Sequence, residues 1–255
     1  MTTTTPQSDA RAFIFTGEQM ILGQGKKSSE EEHLERYRFT RPFVQGKTVL
    51  DIACGTGYGT HIMSGFNAKR VLGVDLSEDA ISYARQAYGM AGVEFLQASA
   101  TSLPIGDSSI DVIVSFETIE HLNDPDRDAY LKELFRVIKK SGTLILSTPN
   151  RRITSPGSHR PLNPYHLREY TLPELTQTLL AQRFRIQDVL GQRVRRKILA
   201  FIPLRKTLTF LQKITGYEFP LYNITQAAHV ISFSKAYEPR YYVVIASPDM
   251  STTRV

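Results

Sequence analysis

The stretch Val49-Leu50-Asp51-Ile52-Ala53-Cys54-Gly55-Thr56-Gly57-Tyr58-Gly59 decides the fold of this chain. Its first residues form an apolar run, which predicts a strand of a buried parallel sheet over 48–52. Glycines at 55 and 57 lack a Cβ, so the backbone that follows can pass close to a bound ligand. The stretch therefore predicts a strand that ends in a ligand-binding turn.

A second acid helps to define the ligand. Asp75 ends the next apolar run, 70–74, and lies 20 residues after Gly55. An acid at that place can accept hydrogen bonds from ribose hydroxyls at the carboxyl edge of the sheet. A dinucleotide fingerprint requires a third glycine where this chain has Thr60. The spacing therefore favours a ribose-bearing ligand without a pyrophosphate.

Strand and helix patterns alternate along the chain, which predicts an α/β fold with a parallel sheet and helices on both faces. The predicted strands are 48–52, 70–75, 93–97, 111–116, 143–148, 184–190 and 241–246, and the main predicted helices are 57–65, 77–90, 125–139 and 173–181.

Asp51-Ile52-Ala53-Cys54-Gly55-Thr56-Gly57 resembles motif I of the class I S-adenosylmethionine-dependent methyltransferases, Asp/Glu-x-Gly-x-Gly-x-Gly. Ala53 replaces the first glycine, a mild departure if its φ is negative. Segments 93–100, 111–117 and 143–150 are similar to later strands of that family. The resemblance implies a Rossmann-like, seven-stranded, mostly parallel sheet with an N-terminal helical lid and an insertion before the last strand.

The resemblance also implies S-adenosyl-L-methionine as cofactor. Ser99 stands where the family usually has an acid for the adenine amino group, so the backbone at Ala100 is expected to share that contact. Tyr37 is a further candidate, with helix packing as the alternative, and Cys54 is expected to be a small packing residue. The expected cofactor-binding residues are Arg36, Asp51, Ala53, Cys54, Gly55, Gly57, Asp75, Leu76, Ser99, Ala100 and Phe116.

His121 is the candidate catalytic residue. Methyl transfer to an alcohol or phenol requires removal of a proton, and imidazole is the commonest base near neutral pH. His121 follows the predicted fourth strand, at the edge that faces the cofactor. The alternative is that it caps the next helix or binds a backbone carbonyl.

A metal site is a second possibility. Glu117, Glu120, His121 and His166 could hold a divalent ion, Mg²⁺ or Mn²⁺, that lowers the pKa of the acceptor oxygen. The pattern is similar to that of small-RNA 3′-end methyltransferases and, at Glu-x-x-Glu-His, of ubiquinone-pathway O-methyltransferases. Under the alternative, Glu117 contacts the cofactor through its backbone while Glu120 and His166 make loop hydrogen bonds.

The segments 15–20 and 163–170 resemble bacterial methyltransferases of surface-polysaccharide and natural-product pathways. This likeness implies a small-molecule acceptor, such as a sugar or a lipid-linked or natural-product metabolite, methylated on oxygen or on nitrogen. Tyr165, His166 and Arg168 are its expected contacts, unless the aromatic side chains only fasten the loop. The competing functions are a metal-assisted RNA or catechol-type O-methyltransferase and a non-catalytic S-adenosylmethionine-binding scaffold.

The composition of the chain bears on its cellular location and its partners. The 255 residues carry a formal charge of +6 and one cysteine, so no intrachain disulfide can form and a cytoplasmic location is expected. Residues 193–214 mix basic with aliphatic side chains, which predicts either a packed lid or peripheral contact with an anionic inner-membrane surface. Nucleic acid is disfavoured as a partner because surface-stacking aromatic residues are few there, and an anionic or lipid-linked small molecule is preferred.

We expect a single domain over 1–255. Its predicted parts are a flexible tail (1–27), a lid helix (28–44), a cofactor-binding core (45–190), a basic and aliphatic insertion (191–235), and the last strand and tail (236–255).

Overall fold

A computed structural model describes residues 20–23, 27–158, 160–196, 207, 210–211, 214, 229–235 and 237–251. The strands are β1 (Thr48–Ile52), β2 (Arg70–Asp75), β3 (Val93–Gln97), β4 (Ile110–Phe116), β5 (Ile138–Pro149), β6 (Phe184–Gln192), β7 (Arg195–Arg196), β8 (Val230–Ile231), β9 (Tyr237–Glu238) and β10 (Tyr241–Pro248). The α-helices are α1 (Lys27–Phe39), α2 (Arg41–Val44), α3 (Tyr58–Ser64), α4 (Glu78–Tyr88), α5 (Asp124–Val137), α6 (Arg151–Thr154) and α7 (Leu172–Ala181).

The main sheet has the order β3-β2-β1-β4-β5-β10-β6-β8. Strands β3, β2, β1, β4 and β5 run parallel, while β10 is antiparallel to both β5 and β6. The α/β prediction is confirmed, but the count of seven strands is wrong. The additional strand is β8, whose two residues pair with Gly191 and Gln192 at the end of β6.

Successive side chains of β1 point to opposite faces of the sheet, and each face carries its own hydrophobic core. Leu50 and Ile52 belong to a cluster that contains Leu131 of α5 and Leu175 of α7. Val49 belongs to the opposite cluster, together with residues of α1 and α3. Because both faces of β1 are buried, its sequence is a nearly continuous apolar run.

The N-terminal helix α1 packs against α3 through a glycine. A Cβ at Gly59 would lie 2.0–2.4 Å from ring atoms of Tyr37, so only glycine leaves room for this ring. Residues 20–23, which the sequence assigns to a flexible tail, also pack on the domain: Ile21 is buried and the Thr56 hydroxyl donates to the Met20 carbonyl at 2.6 Å. The rest of the predicted tail lies almost wholly outside the described residues.

The predicted insertion is described only in part. β7 pairs with β9, and β8 extends the main sheet, so both ends of the segment are tied to neighbouring strands. Most of 193–214, where membrane contact is predicted, lies outside the described residues, although Phe210, Leu211 and Ile214 are exposed. In the part of the chain that the structure describes, no helix has the length and apolar character needed to cross a membrane.

Candidate active site

A cavity of about 940 Å³ opens at the carboxyl ends of the parallel strands. Its walls come from the turns after β1, β2 and β4, from α1, from the segment that follows β5, and from the start of β10. Both its size and its place at the strand ends are typical of ligand sites in open α/β sheets.

The glycine turn after β1 forms one wall. Gly55 has φ +54° and lines the cavity, and a Cβ added there would have open space around it, with no protein atom within 4 Å apart from its chain neighbours. Gly57 has φ +84° and a different constraint, since its Cβ would lie 2.7 Å from Ala84 and from the Phe95 ring. Ala53 has φ +54°, not the negative value that its side chain favours. The turn is therefore left-handed at all three positions.

Asp75 links this turn to the end of β2. Its two carboxylate oxygens accept hydrogen bonds from the backbone N–H groups of Gly55, at 2.8 Å, and Ser77, at 2.9 Å. Each oxygen has a second lone pair, so the carboxylate retains acceptor capacity toward the cavity that it lines.

Three expected cofactor residues, Arg36, Asp51 and Gly57, do not line the cavity and lie behind its wall. Arg36 is 1% exposed and its Nη1 donates to Gln192 Oε1 at 2.6 Å, with the Tyr241 ring 4.9 Å from the guanidinium carbon. Asp51 is fully buried and accepts hydrogen bonds from Tyr37, at 3.2 Å, and Thr60, at 2.7 Å. Burial raises the pKa of Asp51 to about 7, although both hydrogen bonds oppose the shift.

The other expected cofactor residues do line the cavity: Ala53, Cys54, Gly55, Asp75, Leu76, Ser99, Ala100 and Phe116. The Ser99 hydroxyl lies 2.8 Å from the Thr101 hydroxyl, so part of its hydrogen-bonding capacity is used within its own turn. Cys54 is 3% exposed, and burial, with the charges of Asp51 and Asp75, raises the pKa of its thiol. It is therefore a neutral packing group.

His121 and His166 meet at the opposite wall. Their ring centroids are 5.0 Å apart, with the planes nearly perpendicular. His121 Nδ1 donates to the Tyr165 carbonyl at 3.1 Å, which makes Nε2 the unprotonated nitrogen of the neutral ring. His166 Nδ1 donates to Glu169 at 2.8 Å, and the Asn163 amide donates to His166 Nε2 at 2.8 Å. Both imidazoles are held as the same tautomer.

Glu169 is the buried anchor of this wall. It is 2% exposed and also accepts hydrogen bonds from the hydroxyls of Thr154, at 2.5 Å, and Ser155, at 2.6 Å. Burial alone would raise the pKa of Glu169, but the hydrogen bonds from His166, Ser155 and Thr154 lower it below the usual value. Glu169 is therefore an anion that fixes the segment after β5.

Glu120 lies under the same wall. Its backbone carbonyl accepts from the N–H groups of Leu167, at 2.8 Å, and Arg168, at 3.0 Å. Its side chain is fully buried, with Oε2 accepting from Thr148 at 2.9 Å and Oε1 without a hydrogen-bond partner among the described residues. Burial and the charge of Glu117 raise the pKa of this carboxyl group.

The structure brings together three of the four predicted metal ligands. One ligand atom from each of Glu120, His121 and His166 lies within 4.8 Å of the others. Glu117 is not part of this group: its Oε1 accepts from the Ser147 hydroxyl at 2.7 Å, and its backbone has φ +52°.

Of the three residues expected to contact the acceptor, two line the cavity and one does not. Tyr165, half exposed, and His166 line the cavity. Arg168 does not, because its Nη1 donates to Asp124 at 3.1 Å and its guanidinium lies over the Tyr170 ring. Sequence reasoning missed Tyr58, Arg240 and Tyr241 as wall residues. Tyr58 directly follows Gly57 of the glycine turn, so its position was a usable signal. Arg240, just before β10, and Tyr241, its first residue, gave no such signal.

Comparison with known proteins agrees with this geometry. A family model described as a methyltransferase domain matches residues 50–146. A protein of Mycolicibacterium smegmatis named as a probable S-adenosylmethionine-dependent methyltransferase is 36% identical over 181 residues, which cover 71% of this chain and 68% of that relative. The chain belongs to the S-adenosylmethionine-dependent methyltransferases.

This methyltransferase is also similar to a second relative and to a solved structure. A fatty-acid O-methyltransferase of M. smegmatis is 30% identical over 164 residues, 61% of this chain and 59% of that protein. The crystal structure of Burkholderia thailandensis 1,6-didemethyltoxoflavin-N1-methyltransferase, with bound 1,6-didemethyltoxoflavin and S-adenosylhomocysteine, has a TM-score of 0.55 at 17% identity. That match covers 86% of this chain and 78% of the other, and it shows a shared fold.

The residues present fit the methyltransferase cofactor, S-adenosylmethionine. At Gly55 the wall is open where any side chain would project, so a ligand can contact the backbone there. Asp75 offers carboxylate lone pairs for ribose hydroxyls. The turn at Ser99 and Ala100 lines the same cavity and follows β3, whose Gln97 pairs with Asp75. When bound, the cofactor supplies an electrophilic methyl group.

Proposed function

We propose that this methyltransferase transfers the methyl group to an oxygen of a small-molecule acceptor, with His121 as general base. The observation that carries the proposal is the orientation of His121. The contact with a backbone carbonyl, expected as the alternative role, is present between Nδ1–H and Tyr165, and it makes Nε2 the basic nitrogen that could serve as base. A neutral imidazole in a cavity wall can take the proton of a hydroxyl group as the methyl group is transferred.

Tyr165 and His166 are the proposed acceptor contacts on this wall. The neighbouring Leu162 lines the same cavity and is 66% exposed, and Leu167 is 59% exposed. An apolar rim beside two imidazoles suits an amphiphilic acceptor, with an oxygen to methylate and an apolar body. The fatty-acid O-methyltransferase relative supports an acceptor of this lipid-like class.

The proposed role of His121 differs for two kinds of acceptor oxygen, the carboxylate and the hydroxyl. A carboxylate is already ionised at neutral pH and requires no base, whereas an aliphatic hydroxyl must lose its proton. If His121 is the base, His121→Ala should lower turnover of a hydroxyl acceptor about 10²- to 10⁴-fold and leave cofactor affinity unchanged.

The test measures S-adenosylhomocysteine formation with a panel of hydroxylated lipids, sugar derivatives and free fatty acids, and mass spectrometry locates the added methyl group. His121→Gln is the matched variant, because it keeps a polar side chain but supplies no base. Full hydroxyl methylation by both variants would exclude His121 as the base. Methylation of nitrogen alone would refute the acceptor class.

A metal-assisted O-methyl transfer is a second candidate, favoured by the convergence of Glu120, His121 and His166. An ion there would replace one of the two hydrogen bonds that the His166 ring makes, to Glu169 and to Asn163. Two imidazoles with one carboxylate suit Mn²⁺ better than Mg²⁺, which prefers oxygen ligands. An ion there would orient the acceptor oxygen and favour its ionised form. Electron paramagnetic resonance of added Mn²⁺, with wild type and Glu120→Gln, tests binding apart from activity. Unbound Mn²⁺ and full turnover after exhaustive chelation would remove the ion from the proposal.

A further inference from the structure

Three large apolar side chains at the cavity mouth face solvent. Leu162, Tyr165 and Leu167, on the segment after β5, all line the cavity, yet they are 66%, 49% and 59% exposed. Single exposed leucines are common on protein surfaces, whereas a group of them at one place marks a surface that contacts a partner. These three residues are called the apolar rim below.

The insertion after β6 also carries exposed apolar side chains. Phe210, Leu211 and Ile214 are helical residues that are 62%, 38% and 65% exposed. Positions 210, 211 and 214 share one face of an α-helix, because the helix repeats every 3.6 residues. The sequence is compatible with a packed lid or with membrane contact, and the exposure of this face favours membrane contact.

Both segments leave the core at the same edge of the sheet. The apolar rim follows β5, whose last residue, Pro149, pairs with Tyr241 at the start of β10. Tyr241 also pairs with Gln192, the last residue of β6, after which the insertion begins. Pro149 and Tyr241 themselves line the cavity. The insertion therefore begins beside the cavity, on the side of the apolar rim.

The charge of both segments is positive. Residues 150–168 contain four arginines and no acidic residue, and residues 189–217 contain seven basic residues and no acidic one. Arg152 and Arg160 are exposed and form no ion pair with a described residue, whereas the other two arginines of the first segment pair with acids. This side of the mouth therefore suits an anionic surface.

The opposite side of the mouth has a different charge. Leu76, in the turn after β2, is 71% exposed and lines the cavity. Glu78 and Asp79 follow it at the start of α4, and both are exposed. Because carboxylates repel an anionic surface, the charge restricts the contact to the side of β5 and β6.

We propose that the apolar rim and the apolar face of the insertion together bind an anionic lipid surface, with the cavity mouth toward the lipid. Apolar side chains enter the boundary between head groups and acyl chains, while arginine and lysine side chains contact the anionic head groups. Docking itself requires neither cofactor nor acceptor. Only the delivery of a lipid-like acceptor from that surface rests on the proposed function.

The test is co-sedimentation with vesicles, without cofactor or acceptor. We expect the wild type to bind vesicles of equimolar phosphatidylcholine and phosphatidylglycerol, to bind pure phosphatidylcholine less, and to dissociate at high salt. Leu162→Ser combined with Leu167→Ser should weaken binding at least about tenfold, because two apolar side chains no longer enter the lipid. Phe210→Ser combined with Ile214→Ser should have a similar effect. Arg160→Gln should weaken binding to the mixed vesicles alone, by about 3- to 5-fold.

Met90→Ser is the matched control. Met90 is 54% exposed and precedes β3, at the amino edge of the parallel strands, so its loss should leave vesicle binding at the wild-type value. An equal loss in Met90→Ser, no binding by the wild type, or unchanged binding by either double variant would overturn the proposal. A dimer that dissociates in the variant at 210 and 214, without vesicle binding, would overturn it in favour of a second copy of the chain.

The outcome is separable from that of the proposed function. Hydroxyl methylation without vesicle binding would overturn the docking surface alone. Vesicle binding by a protein that methylates only nitrogen would support the docking surface and refute the proposed acceptor class.

Discussion

At the scale of single residues, Ala53 and Gly55 have the same left-handed backbone but different side chains. Both have φ +54°. Left-handed backbone destabilises a residue with a side chain by about 1–2 kcal/mol. Glycine avoids this strain, but its larger conformational entropy in the unfolded state offsets part of the benefit. Ala53→Gly should therefore raise the free energy of unfolding by about 0.5–1 kcal/mol, measured by urea denaturation. A lower stability of this variant would mean that Ala53 packing outweighs its backbone strain.

Gly55→Ala is the matched change in the opposite direction. It introduces the same strain, and its Cβ would project into space that no protein atom occupies within 4 Å. We expect a loss of stability of about 1–2 kcal/mol and, in addition, weaker cofactor binding by calorimetry. Unchanged cofactor affinity would show that the ligand does not approach this backbone.

Asp51 makes stability depend on pH. Its folded pKa of about 7 lies above the ordinary value of 3.8, so the folded state holds the proton more tightly. The stability that this proton contributes is complete below about pH 4 and is lost as pH rises through 7. Between pH 5 and 8 the wild type should therefore lose about 2–3 kcal/mol more than Asp51→Asn. Parallel pH profiles for the two proteins, measured by denaturant unfolding, would contradict this assignment.

At the scale of elements, the segment between β5 and α7 is tied to the loop after β4 by Glu120 and is cross-linked within itself by Glu169. The Glu120 carbonyl accepts two backbone N–H groups from it, and Glu169 accepts from His166, Thr154 and Ser155. This segment carries one imidazole of the site and, through the Tyr165 carbonyl, orients the other. Its conformation therefore determines the geometry of the proposed base.

Glu169→Gln tests that dependence. The new amide presents a donor where three donors already converge, so we expect a loss of about 1–3 kcal/mol in stability. Turnover of a hydroxyl acceptor should fall more than about tenfold, because the imidazoles lose their fixed orientation. Cofactor affinity should stay at the wild-type value, since the Asp75 carboxylate is held by the N–H groups of Gly55 and Ser77 and not by this anchor. Weaker cofactor binding would show instead a general collapse of the cavity.

At the scale of the whole molecule, local patterns predicted the sheet but not the wall behind the site. Apolar runs located β1 and β2 to the residue, because burial on both faces leaves a continuous signal. The edge strand β3, in which Glu94 and Gln97 are exposed, was also located to the residue. Arg36 was expected at the cofactor, yet it pairs with Gln192, 156 residues away. A motif places residues along the chain, but it does not state which side of the backbone faces the cavity.

The same limit applies to Asp51, Gly57 and the start of β10. Asp51 and Gly57 belong to the motif, but they support the turn from behind. Arg240 and Tyr241 enter the cavity because β10 inserts between β5 and β6, a pairing over long sequence separation. His121 and His166, 45 residues apart, were both singled out by residue type, and only the fold shows how their rings are oriented.

The central claim is that the cavity at the strand ends binds S-adenosylmethionine through the Gly55 turn and Asp75. Calorimetric titration of S-adenosylhomocysteine into wild type and Asp75→Ala tests it most directly. We expect single-site binding by the wild type and an affinity about 10- to 150-fold lower in the variant, or about 1.5–3 kcal/mol. No heat with the wild type, or equal affinities in the two proteins, would contradict the claim.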